Sequence, residues 1–251
     1  MLRRLDLGHI IRPASEAGTE HPRVDPAAAP TTRPQSGRAE SILAYVVRRP
    51  EGVLLFDTGI GSDPEVDAHY QPHRRDLRTA LADAGVALDE VSLVVNCHLH
   101  FDHCGGNPLF PGTPILAQRT ELTTARTTEY TLPELIDFTG VQYAELDGET
   151  EVWPGVWIIP TPGHTDGHQS LVVRRPDGTV VLAGQAHDFA SEFSHDEMAR
   201  TVGAAPHSPW LDRLMEFDPK RVLFAHDSAV WEPIDHEVRG GDTPQRGTLG
   251  S

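Results

Sequence analysis

The sequence predicts an α/β sandwich with its functional site along one rim, and three observations carry that expectation. Apolar runs of strand length alternate with helix-period segments in both halves of the chain. The densest histidine-bearing motifs stand just beyond such strand-like runs. At 251 residues the chain is long enough to bury a core without disulfides or structural metals, and it shows no internal repeat.

Taken in order, residues 5–11 read as a short strand, and residues 12–37, rich in Pro, Ala, Thr and charge without periodicity, as an extended loop. Residues 1–40 are therefore expected to form an N-terminal strand and arm, 41–237 the main domain, and 238–251 a flexible tail. "SILAYVV" and "GVLLFDTG" predict a hairpin turning at residues 48–52, which puts Asp57 at a strand end. "RRDLRTALADAG" sets Leu77, Ala80, Leu81 and Ala84 on one helical face with Gly85 as its cap, and "VSLVVNC" is a buried strand. "TPILAQ", "GVWIIPTP", "QSLVVRR", "GTVVLAG" and "RVLFAH" predict further strands, and "RTELTTARTTEY" and "WLDRLMEF" predict helices. "YTLPELIDF" fits either state; it and "AAPHSPWLDRLMEF" are apolar enough to line a pocket or a homodimer surface.

Acidic residues outnumber basic ones by 37 to 21, and the net charge of −16 opposes binding to nucleic acid phosphates and anionic membrane surfaces. No apolar run reaches bilayer-spanning length, and the first residues lack the apolar core of a signal peptide. The two cysteines, Cys97 and Cys104, flank a histidine cluster. The expected partner is a small molecule, and the expected location is the cytoplasm.

The chemistry concentrates in "CHLHFDHCGG". His98 and His100, two apart on an extended segment, point the same way, while Asp102 and His103 turn back across the tight loop that Gly105 and Gly106 permit. Imidazole and carboxylate suit zinc and similar divalent metals, and a catalytic site keeps one position open for water. One loop cannot complete two coordination spheres, so ligands are expected at other strand ends. His164, in the Pro/Gly turn of "TPGHTDGH", and His226, after the strand of "LFAHD", are the candidates. His168 reads as a structural hydrogen-bonding residue; His9, His21, His69, His73, His195, His207 and His236 read as solvated.

With "FDTG" ahead of them, "HLHFDH", "TPGHTDGH", "AGQ" and "FAHD" in this order resemble the metallo-β-lactamase superfamily over residues 42–227. "CHLHFDHCGGNPLFPGTPILAQRTEL" and "PGVWIIPTPGHTDGHQSLVV" are most similar to the N-acyl-homoserine lactonases of quorum quenching. The resemblance implies an αββα sandwich of two mixed sheets with helices outside. It also implies two divalent metal ions, zinc foremost, with His98, His100 and His164 on one and Asp102, His103 and His226 on the other. A hydroxide between the metals would attack the substrate carbonyl, with Asp102 steering it and passing the proton to the leaving alkoxide. Asp57 would orient the histidine loop, and Phe101 would form an apolar wall of the substrate pocket.

Two positions depart from the lactonase pattern. Gln185 stands where lactonases carry a metal-bridging aspartate, offering one neutral oxygen in place of two anionic ones. The second metal is then held more weakly unless His187 or Asp188 compensates. Asp188 itself occupies the catalytic place of a tyrosine whose hydroxyl donates to the substrate carbonyl, a bond an ionised acid cannot make; Tyr130 and Tyr143 are the phenols available elsewhere. The expected function is a metal-dependent hydrolase opening a lactone, N-acyl-homoserine lactone first, or a related carboxylic ester. Thioesterase, glyoxalase-II-like or β-lactamase activity is the alternative on the same fold, and a metal-binding protein without turnover the alternative outside enzymes.

Overall fold

The computed structural model describes residues 1–14, 37–203 and 206–233. Most of the predicted loop, at 15–36, and the predicted tail at 238–251 lie outside the described residues. The first sheet is built from β1 (Leu2–Pro13), β2 (Gly37–Arg49), β3 (Gly52–Phe56), β4 (His73–Arg74), β5 (Val91–Val95), β6 (Pro114–Gln118) and β7 (Gln142–Leu146), in the order β4-β1-β2-β3-β5-β6-β7. The β1–β2–β3 part is antiparallel, including the predicted hairpin, and β3, β5, β6 and β7 run parallel. The second sheet comprises β8 (Thr150–Trp153), β9 (Val156–Pro160), β10 (Gln169–Val173), β11 (Thr179–Leu182), β12 (Pro219–Leu223) and β13 (Val230–Trp231), antiparallel except where β11 meets β12.

Period-two alternation in β2 shows why these runs become strands buried on both faces. Leu43, Tyr45 and Val47 point between the sheets, where they meet Ile158, Leu171 and Leu182. Ile42, Ala44 and Val46 point outward, into an apolar layer covered by α1 (Pro64–Tyr70), α2 (Leu77–Asp83), α4 (Arg119–Thr127) and α5 (Pro133–Ile136). On the far side, Val172, Val181 and Val222 pack against Phe193 of α6 (Ala190–Val202) and Trp210, Leu211 and Leu214 of α7 (Pro209–Met215). The layers are thus helix, sheet, sheet, helix. No helix among the described residues is long and apolar enough to cross a membrane.

Several expectations change. β1 runs on to Pro13 because Arg12 and Pro13 pair with Arg38 and Gly37, so Arg12 belongs to a strand and not to the predicted loop. "YTLPELIDF" contains the short helix α5, whose Leu135 and Ile136 sit in the outer core, as Trp210, Leu211 and Leu214 do on the other side. These apolar residues of both candidate pocket or dimer segments are therefore buried within the sandwich.

The histidine loop is not a tight glycine turn: Phe101–Cys104 form a helical turn, α3. Gly105 and Gly106 have φ of −58° and −93°, so no left-handed conformation requires them. Space requires them instead. A Cβ at Gly105 would lie 2.0 Å from the Gly61 nitrogen, and one at Gly106 would lie 2.6 Å from the Thr58 carbonyl oxygen. Gly105→Ala is accordingly expected to destabilise the protein by about 1–3 kcal/mol through overpacking. Urea unfolding checks this, and a midpoint equal to the parent's would contradict it.

Candidate active site

Strand ends at one rim deliver the side chains. Asp57 follows β3, His98 follows β5, His164 lies in the β9–β10 turn, Gln185 follows β11 and His226 follows β12. Backbone bonds from Leu43 to Ala225 and from Gln169 to Cys97 tie the two sheets together at this rim.

His98 Nε2 lies 2.7 Å from His100 Nδ1, which lies 3.0 Å from His164 Nε2. Beside this first triad stands a second. Asp102 Oδ2 is 3.6 Å from His103 Nε2 and 3.7 Å from His226 Nε2, and the two nitrogens are 3.2 Å apart. Gln185 Oε1 completes the second group, 3.1 Å from His103 Nε2. The His98 and His103 rings, 4.2 Å apart, join the two clusters. All seven residues expected around the metals are brought together. Phe101, expected as a pocket wall, is buried with its ring 5.1 Å from that of Tyr70 in the outer core.

The back of each ring is also fixed. Asp57 adopts φ 64°, a left-handed conformation that Asp tolerates better than most residues. There its Oδ1 accepts from the Cys97 amide at 2.8 Å while Oδ2 faces His103 Nδ1 at 3.1 Å. His226 Nδ1 donates to the Ser41 carbonyl at 3.0 Å. Both contacts place the ring proton at the rear and turn an Nε2 lone pair into the site. Burial pushes the pKa of His98 and of His226 down, with neighbouring histidines adding to it, which favours the neutral form that ligates. Burial acts the same way on His103, but the Asp102 and Asp57 carboxylates overcome it and push its pKa up to about 9. A divalent ion held by the second triad would therefore have to displace a proton at neutral pH.

Two further groupings lie behind these triads, Cys97 with His98 and His168, and Asp57 with Cys97 and His103. Neither suits a metal. Burial pushes the Cys97 thiol well up, which keeps it protonated. Both His168 nitrogens have partners: Nδ1 meets Thr161 Oγ1 at 2.8 Å, and Nε2 accepts from the Gln185 backbone N–H at 3.0 Å. His168 thus takes the structural place its sequence context suggests.

Burial holds His168 neutral, its pKa down from 6.5 to about 3. Its contribution is complete above pH 6.5 and is lost as pH falls toward 3, because the unfolded chain takes up the proton first. Between pH 6.5 and 5 the loss amounts to about 2 kcal/mol. Unfolding of the metal-free protein over this range should show it, with His98 and His226 adding in the same direction. His168→Asn should give a shallower slope; an unchanged slope would contradict the assignment.

Sequence reasoning missed two parts of the site. Glu121 is buried and accepts from Leu99 N at 2.8 Å, Thr165 Oγ1 at 2.7 Å and the Tyr130 hydroxyl, joining the histidine loop to the His164 turn. Burial pushes its pKa up. Its signal was present: an acid on the buried face of α4 beside Leu122 and Ala125. Tyr130, a candidate phenol for substrate, points its hydroxyl at Glu121 and sets its ring edge-on to His100 at 4.7 Å.

The second missed part is an ionic chain. Arg12 Nη1 donates to Asp188 Oδ2 at 2.9 Å, and Arg12 Nε lies 3.0 Å from Glu40 Oε2. Burial alone would lower the Arg12 pKa, but Asp188 and then Glu40 raise it. His187 turns to the other side of its loop, 3.2 Å from Asp196 and packed against Phe193 and Trp210.

Two adjoining clusters of imidazole and carboxylate donors, one of three imidazole rings and one with an acid and an amide oxygen, fit borderline divalent ions. Together with the four-layer sandwich they define a class. The chain belongs to the metallo-beta-lactamase superfamily, whose family model matches residues 37–226. Within it the similarity runs to the N-acyl homoserine lactonases: the Bacillus thuringiensis enzyme is 31% identical over 204 residues, spanning 74% of this chain and 81% of that protein. The crystal structure of a quorum-quenching N-acyl homoserine lactone hydrolase matches with a TM-score of 0.68 and 26% identity, over 90% of this chain and 92% of that one. An N-acyl homoserine lactone hydrolase with the product N-hexanoyl-L-homoserine at its catalytic metal centre matches with a TM-score of 0.66 and 25% identity, over 90% and 93% of the two chains.

Proposed function

We propose that this protein is a metal-dependent hydrolase that opens the ring of N-acyl-homoserine lactones. The observation that carries the reading is the pair of adjoining triads, His98–His100–His164 and Asp102–His103–His226, at one rim of a lactonase-like sandwich. The donor set suits two zinc ions, with Gln185 Oε1 as a further oxygen donor at the second site. When bound, such ions supply Lewis acidity toward a carbonyl oxygen and toward water.

The chain's own residues supply the rest. Asp102, fully buried and within reach of both His103 and His226, is the carboxylate placed to take a proton from water and return it to the departing alkoxide. Asp57 and Ser41 hold His103 and His226 in the tautomer that ligates. Water adds across the acyl C–O bond, its hydroxyl to the carbonyl carbon and its proton to the ring oxygen, and N-acyl-homoserine leaves. Cys97 and Cys104, both free and buried, suit a reducing compartment, and the cytoplasm is the proposed location.

Zinc-loaded protein tested on N-hexanoyl-homoserine lactone, an aryl ester, a thioester and a cephalosporin discriminates the readings. Lactone opening, followed by proton release, is expected to stop on chelation and resume with zinc. Hydrolysis of the thioester or the cephalosporin with the lactone left intact would overturn the proposal.

A further inference from the structure

Gln185 can ligate through only one end of its amide, since Oε1 accepts and the NH2 group only donates. The end that faces the second triad is decided behind it. Gln185 Nε2 donates to Asp188 Oδ1 at 2.9 Å, and the other oxygen of Asp188 accepts from Arg12 Nη1 at 2.9 Å. The Arg12 side chain is 5% exposed and is held in turn by Glu40, whose side chain is fully buried. Arg38 also lies on Glu40, at 2.6 Å. The next residue, Ser41, accepts from His226 Nδ1, so the same strand braces both His226 of the second triad and, through Arg12 and Asp188, the Gln185 beside it.

The polarity of this chain runs one way. A guanidinium only donates and a carboxylate only accepts, so Asp188 must be met by an NH2 group from the Gln185 side. Turning the amide over would set its oxygen against a carboxylate oxygen and leave buried groups without suitable partners.

We propose that Asp188 is a positioning residue: anchored by Arg12, it fixes the Gln185 amide with Oε1 toward Asp102, His103 and His226, making Gln185 a preset neutral oxygen donor to the second ion. This deepens the two-ion reading above and rests on it. It also gives Asp188 a role unlike the substrate-contacting one expected at its position. The Asp188 charge is directed to Arg12, and the second ion receives a carbonyl oxygen.

Exchanging the two chemical groups provides the test. Asp188→Asn keeps the shape, but Arg12 still requires an acceptor, so the new amide turns its oxygen to Arg12 and its NH2 toward Gln185. Gln185 then turns over and presents NH2 to the ions. Zinc competition against a chromophoric chelator should show the second ion weakened about 10–100-fold, with the first unchanged. Adding Gln185→Glu should restore the affinity, because that carboxylate accepts from the new NH2 and keeps its other oxygen on the ions. A residue that only supported the fold would give no such rescue.

Unfolding of the metal-free variants monitors the fold, and Gln185→Glu compared with Gln185→Glu/Asp188→Asn carries the test where the single Asp188 variant is too unstable to load. In that comparison the double variant is expected to bind the second ion more tightly. Unchanged second-ion affinity in Asp188→Asn, or a double variant no better than its parent single, would overturn the positioning role. Parent protein that holds fewer than two zinc ions would overturn the two-ion reading itself and this inference with it.

Discussion

Asp102→Asn is expected to release the second ion and to lower kcat for lactone opening by about 10²–10⁴-fold. Among the seven side chains gathered at the rim Asp102 is the single carboxyl group: five are imidazoles and one is the Gln185 amide. Two divalent charges set side by side repel, and this carboxylate is the protein's own charge opposing them. Its oxygen stands 3.6 Å and 3.7 Å from the two facing ring nitrogens, buried away from bulk water. The amide of Asn keeps one ligating oxygen but can neither carry the charge nor take a proton. Zinc equivalents by elemental analysis and kcat on the same preparation check both halves; two retained ions with a loss under tenfold would contradict the role.

Replacement of Asp57 separates architecture from tautomer control. Asp57→Asn retains the shape and tolerates φ 64°. Its oxygen still accepts from the Cys97 amide, which leaves NH2 facing His103 Nδ1. That nitrogen must then accept, the ring proton moves to Nε2, and the lone pair meant for the metal is lost. Second-ion affinity should fall about 10–100-fold with the fold intact. Asp57→Ala loses both bonds, strands a buried amide and sets a side chain unsuited to the left-handed region, at a cost of roughly 2–5 kcal/mol. Zinc competition and urea unfolding on the two variants check the contrast. Unchanged second-ion affinity in Asp57→Asn, with only Asp57→Ala destabilised, would show that Asp57 acts only as a structural cap.

Much of the sandwich was legible because its strands are apolar on both faces. Runs such as "SILAYVV" and "QSLVVRR" announce themselves, and the histidines just beyond them mark the rim. β7 was not legible, since none of its residues is fully buried. α6 was missed because only Phe193 and Ala199 of its 13 residues are buried, too few for a visible apolar stripe. Six of the seven rim residues were legible through their residue types and local context, and Gln185 only through the resemblance to the lactonases. Their supports were not: the Arg12–Asp188 contact joins residues 176 apart, and neither sequence segment carries any sign of the other. Local spacing likewise misread Gly105, whose requirement comes from a backbone crossing at Gly61 and not from its own dihedral angles.

The rim is expected to hold two ions in two adjoining sites. Anomalous diffraction at the zinc edge, on crystals of the zinc-loaded protein, tests it most directly. Two peaks are predicted, one within bonding distance of His98, His100 and His164, the other within bonding distance of Asp102, His103, Gln185 and His226. A single peak, or one seated at the rear between Cys97 and His168, would contradict it.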